Sequence, residues 1–131
     1  MYRKPLLGCL VACTLAANIP LARATQTATP SNLIGDPGRG KNLYQGCQAC
    51  HSIEDNDLGP RHRGVVGRHA GSVADYNYSQ ALKNSGLTWD AATLDRWLTN
   101  PSALVPGTKM YFKLDDPQAR ADVIAFLGQL K

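Results

Sequence analysis

Three features of the chain predict an all-α domain. Apolar residues recur at helical i, i+3, i+4 spacing in three places: Gly40, Leu43 and Tyr44; Leu94, Trp97 and Leu98; and Val123, Phe126, Leu127 and Leu130. The pair Asp-Pro opens the first and the last of these segments, at Asp36-Pro37 and Asp116-Pro117. An aspartate caps the free N–H groups of a new helix, and proline sits without cost at its first position. No stretch alternates with a period of two for long enough to form a sheet. The 131 residues make one domain at most, without internal repeats.

The elements follow in order. Residues 1–24 read as a secretory signal peptide: Arg3 and Lys4 form a basic start, Leu6 to Ala17 is apolar, and Ala22-Arg23-Ala24 is a small-x-small site that places cleavage before Thr25. A lipoprotein signal ending at Cys9 or Cys13 is a rival, as is an uncleaved anchor. The apolar run before either cysteine is short, and Asn18, Pro20 and Arg23 interrupt a membrane span. Residues 25–35 are a flexible leader rich in Thr, Ser, Pro and Ala, and residues 36–131 are the folded domain. Cleavage removes three of the 14 basic residues and none of the 10 acidic ones, so the net charge falls from +4 to +1. That balance gives no nucleic-acid surface.

Within the domain, the helix begun at Asp36-Pro37 runs towards Cys47. Ser52 to Leu58 is acidic and turn-like, and Gly59-Pro60, Gly64, Gly67 and Gly71 punctuate a loop. Ser79 caps a short helix that ends at Gly86, and Thr88 caps the next, which stops near Asn100 because Pro101 follows. Pro106-Gly107 opens a loop to Met110, and the last helix starts at Asp116-Pro117.

Chemistry concentrates at Cys47-Gln48-Ala49-Cys50-His51. Two thiols three apart with an imidazole next is the attachment signature of a c-type haem. One helical turn aims both sulfurs at the porphyrin vinyl groups, and the histidine is carried beneath the ring to ligate iron. A redox disulfide and half a zinc site are the other readings of the same residues. Zinc would need two more soft ligands, yet no cysteine follows Cys50, and no βαβ pattern surrounds the motif. Export would remove Cys9 and Cys13 and leave this pair alone in an oxidising space. The roughly 107 remaining residues are few for a self-sufficient core, and a porphyrin would supply apolar surface to wrap. Met110, the only methionine after residue 24, is the candidate for the iron's other face.

Taken together, residues 36–131 resemble a class I c-type cytochrome, a monohaem, His/Met-ligated family. The resemblance implies N- and C-terminal helices that cross, with three to five helices wrapped around one covalent haem c. It makes Cys47 and Cys50 the thioether residues, His51 the proximal ligand and Met110, in Pro106-Gly107-Thr108-Lys109-Met110, the distal one. It also implies that the Pro60 carbonyl orients His51, that Tyr78 and Trp89 hydrogen-bond a haem propionate, and that Arg68 lies near the charged ring edge. Gly40 and Leu43 become packing residues of the helix crossing. Several residues depart from the family pattern. His62 stands where a leucine packs on the haem, and is expected on the surface or in a loop. His69 is expected to be exposed. Trp97 replaces a tyrosine beside the methionine, and Leu82 replaces a polar residue near the propionate. Gly46 and Ser102 occupy places of docking lysines, while Lys109 and Lys113 read as solvated surface.

With both axial positions filled, the resemblance implies an electron carrier rather than an enzyme. It would be a periplasmic protein with no nucleic-acid partner, docking transiently, as a monomer, on a membrane respiratory complex or a periplasmic dehydrogenase or oxidase. The alternatives are a ligand-binding or peroxidase-like haem protein, a haem subunit of a larger oxidoreductase, and a membrane-tethered form.

Overall fold

The computed structural model describes residues 33–131. The expected signal peptide, residues 1–24, and residues 25–32 of the expected leader lie outside the described residues. Among the described residues, five α-helices follow one another: α1 (Pro37–Leu43), α2 (Gln80–Lys83), α3 (Ala91–Thr99), α4 (Pro101–Leu104) and α5 (Pro117–Leu127). A 3₁₀ segment, Tyr44–Ala49, extends α1. No strand occurs among the described residues, and a lone antiparallel bridge pairs His69 with Thr88.

Helix α1 begins as its sequence dictates, with Asp36 Oδ1 accepting from the Arg39 N–H at 2.8 Å and Pro37 in the first turn. It crosses α5 at very short range. A Cβ on Gly40 would lie 2.0 Å from the Asp122 carbonyl oxygen and 2.9 Å from the Phe126 Cβ, so only a glycine admits this approach. One turn on, Tyr44 is buried at 2% exposure with its ring centroid 5.1 Å from that of Phe126. The expected pairing of Gly40 with Leu43 at this crossing is corrected: Leu43 is 41% exposed. The residue four on from Gly40, not the one three on, shares its inner face, and the chain then tightens into the 3₁₀ segment.

A buried carboxylate locks the crossing. Asp122 accepts from the Asp36 backbone N–H at 2.7 Å, from Arg39 Nε at 2.8 Å and Nη2 at 3.0 Å, and from Gln118 Nε2 at 2.9 Å. Arg120 ties α5 to α3, donating through Nε to Asp95 at 2.7 Å and through Nη1 to the Leu114 and Asp115 carbonyls. Val123, Phe126 and Leu127 form the buried stripe of α5, and Leu130 packs half-buried beyond the helix end.

Two boundaries differ from the sequence expectation. Asp90, not Thr88, caps α3, accepting from the Thr93 N–H at 2.7 Å. Thr88 is held extended by its bridge to His69, and the Trp89 N–H and carbonyl pair with Arg68 and Gly67, so helix starts only afterwards. Helix α3 stops at Thr99 as Pro101 requires, yet Asn100 is extended and caps the unanticipated α4 through a 3.2 Å bond from the Ala103 N–H. Ser79 caps α2 as expected, accepting from Leu82 N–H, although the helix ends at Lys83, before Gly86.

Substituting Gly40 with Ala should destabilise the folded protein by at least about 2 kcal/mol in chemical denaturation, because backbone rather than a flexible side chain must move. The Asp122 carboxyl is held below its usual range first by Arg39, with further bonds from Asp36 and Gln118 outweighing desolvation. The folded state therefore resists protonation. The stabilisation is complete at neutral pH and drains away as pH falls below the ordinary aspartate value towards the lower folded one. Since Arg39 is 57% exposed, Asp122→Asn should cost only about 2 kcal/mol at pH 7. The gap from wild type should narrow in denaturation curves taken at progressively lower pH.

Candidate functional site

The 3₁₀ segment delivers the cysteine motif. The N–H groups of Cys50 and His51 both turn back on the Cys47 carbonyl, at 3.1 and 2.9 Å, which brings the three side chains to one side of the chain. Both thiols are free, Cys47 half-buried and Cys50 exposed. They sit at the rim of a mostly apolar cavity of about 310 Å³. All eight residues singled out in the sequence line it: Cys47, Cys50, His51, Pro60, Arg68, Tyr78, Trp89 and Met110.

His51 Nδ1 lies 2.7 Å from the Pro60 carbonyl oxygen. A carbonyl only accepts, so Nδ1 carries the proton and Nε2 keeps its lone pair. Burial is the larger influence on this imidazole and favours its neutral form, against the opposing pull of the Pro60 bond and Asp57. Gly59 gives the ring its place: a Cβ there would lie 2.2 Å from His51 Cε1 and 2.5 Å from Nδ1. The Gly-Pro pair is thus a clearance followed by an acceptor. On another wall, Met110 Sδ accepts from Trp97 Nε1 at 3.2 Å. Thr108, 4% exposed, steadies the loop by accepting from the Met110 N–H at 3.4 Å, and Gly107 supplies a left-handed φ of 90°.

Arg68 is tied to the carbonyls of Arg61 at 2.8 Å and Arg63 at 3.1 Å. Burial lowers its pKa, with Tyr78 opposing and Arg61 adding to the fall. Tyr78 and Trp89 are both 7% exposed, and the Trp89 ring packs 5.1 Å from that of Trp97. Leu82 is buried in the same wall. His69 is exposed, as expected. Lys109 is exposed too, although its Nζ donates to the Asn77 carbonyl at 2.8 Å.

His62 corrects an expectation. It is a loop residue, but its ring turns inward and stacks on His51 with centroids 4.0 Å apart and planes 20° apart. Its Nδ1 lies 3.0 Å from the Tyr44 hydroxyl oxygen. Burial foremost, then the nearness of the His51 ring and of the Arg68 guanidinium, push the imidazole down to about 3. Burial likewise pushes the Tyr44 hydroxyl up to about 12, with Cys47 adding to the shift. The pair had one signal in the sequence: a tyrosine on the inner face of α1 needs a partner for its hydroxyl.

These features suit a porphyrin: an apolar slot, two unpaired thiols at attachment spacing, a neutral imidazole with its Nε2 lone pair free, and a thioether in the same cavity. Among the described residues, no group of three or more His, Cys, Asp or Glu side chains converges on a point as a metal cage would. Fold and site define a monohaem electron-transfer protein.

The family model "Cytochrome c" matches residues 38–131. The chain is 55% identical over 98 residues to cytochrome c2 of Rhodomicrobium vannielii, covering 72% of this chain and 78% of that relative. Among solved structures, cytochrome cH from Methylobacterium extorquens superposes with a TM-score of 0.69 at 49% identity, covering 72% of this chain and 98% of the other. Ferricytochrome c2 from Rhodopseudomonas palustris gives 0.70 at 37% identity, covering 73% and 99%. The chain belongs to the cytochrome c family. Its cofactor is one covalent haem c, for which Cys47 and Cys50 have the attachment spacing, and its activity is electron transfer.

Gly59→Ala should displace the His51 ring and break its bond to Pro60. The expected loss is about 1–3 kcal/mol in denaturant unfolding, accompanied by a shift of the His51 Nδ1–H resonance.

Proposed function

We propose that this protein is an exported, periplasmic carrier of single electrons that shuttles between a membrane respiratory complex and periplasmic dehydrogenases or oxidases. His51 and Met110 would hold the haem iron, and Cys47 and Cys50 would form the thioethers. The observation that carries the reading is the pair of tethered donors in one apolar cavity. His51 is held through the ring nitrogen not needed for ligation, and Met110 is held by one hydrogen bond to a sulfur that has a second lone pair. Haem supplies reversible one-electron chemistry at its iron.

The surrounding residues set how that chemistry runs. Pro60 fixes the imidazole tautomer and makes the ring a better donor. The Trp97 N–H draws electron density from the Met110 sulfur, and the apolar walls penalise added positive charge; both favour the ferrous state. Arg68, Tyr78 and Trp89 form the polar end, suited to propionates. His62 is stacked on His51 and engaged by the Tyr44 hydroxyl, which leaves Met110 as the residue that would supply the second ligand.

At the cavity mouth, Leu58 and Tyr111 are each 74% exposed and Phe112 is 48% exposed. A small apolar rim of this kind suits brief docking of a monomer on a redox partner. No helix among the described residues is long and apolar enough to cross a membrane. Cleavage before Thr25 would release the chain into the periplasm, and intact-mass measurement of the periplasmic fraction should find a haem-bearing chain starting there.

Met110→Ala should abolish the near-infrared band of sulfur bound to ferric iron and lower the midpoint potential. A band that persists in this variant would overturn the ligand assignment. Trp97→Phe should keep the band and lower the potential by a smaller amount in a redox titration, because the sulfur remains but loses its hydrogen-bond donor.

A further inference from the structure

We propose that His62 is a positioning residue for the electron-transfer centre: anchored by Tyr44, it fixes the plane of the His51 ring. The inference rests on His51 being the proximal ligand. The need for such a residue is geometric. His51 is attached at Cβ and tethered at Nδ1 to the Pro60 carbonyl, 2.7 Å away. Those two points leave the ring free to rock about the line that joins them, and that motion tips Nε2. A flat group pressed against one face of the ring stops it.

His62 is such a group, stacked at 4.0 Å and 20°. It is itself held at three points. Its backbone N–H donates to the Ser52 carbonyl at 3.0 Å, its carbonyl accepts from the Val65 N–H at 2.9 Å, and its ring meets the Tyr44 hydroxyl at 3.0 Å. Tyr44 cannot follow a moving partner, because it is 2% exposed and packed on Phe126 in the α1–α5 crossing. Orientation therefore runs from the helix crossing through Tyr44 and His62 to His51. An aliphatic residue at position 62 would fill the space, but it could not be pinned at its tip by Tyr44. It would also remove a polar ring from beside the His51 imidazole, which would disfavour the ferric state.

The test uses the haem-loaded protein and its Tyr44→Phe, His62→Leu and doubly substituted forms. Electron paramagnetic resonance of the ferric state reads the spread of ring orientations as line width, and a redox titration reads the potential. Both single variants should broaden the ferric signal, and the double variant should be no broader than His62→Leu alone, since the two residues act in series. His62→Leu should also raise the ferrous-to-ferric ratio at fixed potential about threefold, or about 28 mV at 59 mV per tenfold. Tyr44→Phe keeps the ring that packs on Phe126, so it tests the tether even if His62→Leu fails to mature. Unchanged line widths in Tyr44→Phe, or broadening that adds in the double variant, would overturn the proposal. A wild-type ferric spectrum without low-spin histidine ligation would instead sink the ligand assignment itself, and it is read before any variant is made.

Discussion

Everything in this fold depends on how closely α1 lies on α5. The 2.0 Å that would separate a Gly40 Cβ from the Asp122 carbonyl means that the two backbones touch where other helix pairs are spaced by side chains. The contact is fixed laterally by Asp122, whose carboxylate gathers Asp36, Arg39 and Gln118. A burial of this kind is costly unless every oxygen is satisfied, and here both are. The 3₁₀ segment grows directly out of the crossing, so the Cys47–His51 turn inherits its position from helix packing rather than from loop conformation.

The opposite wall is organised differently. No long helix carries Met110; it sits on a loop, held by Thr108 within the turn and by Trp97 from α3. Trp97 in turn packs on Trp89, whose backbone pairs with the loop that bears Arg68. Each proposed ligand is thus gripped by a neighbour that is itself immobilised in the core. Donors placed in advance of electron transfer need little rearrangement when the iron changes charge. That makes the polar contacts around the cavity part of the electron-transfer chemistry as much as of stability.

The sequence shows much of this because its strongest signals are local. A Cys-x-x-Cys-His turn, two Asp-Pro starts and a proline after Asn100 act within a few residues, and the prolines all fall in the first turn of a helix behind a side-chain cap. The eight residues singled out by their types and order all line one cavity. Contacts between distant residues were not legible in this way. Thr88 looked like a cap because it precedes a helix, but pairing with His69, 19 residues away, removed it from that role. Leu43 looked like core from spacing alone, since periodicity does not say how a helix is rotated when a glycine lets its partner in.

His62 shows the same limit at the site itself. A polar residue in a glycine-rich loop ordinarily faces water, because a buried imidazole without a partner is costly. The partner exists on α1, in a tyrosine whose own hydroxyl faces the same demand. Each of the two polar groups makes the burial of the other affordable, and neither position reads correctly alone. A substitution at one should therefore be interpreted through the other. Leucine at position 62 suits a phenylalanine at position 44, whereas histidine suits the tyrosine present here. The pair behaves as one unit of the proximal wall, and its stacking places a hydrogen-bonded ring where an aliphatic side chain would leave His51 resting on a surface of lower polarity.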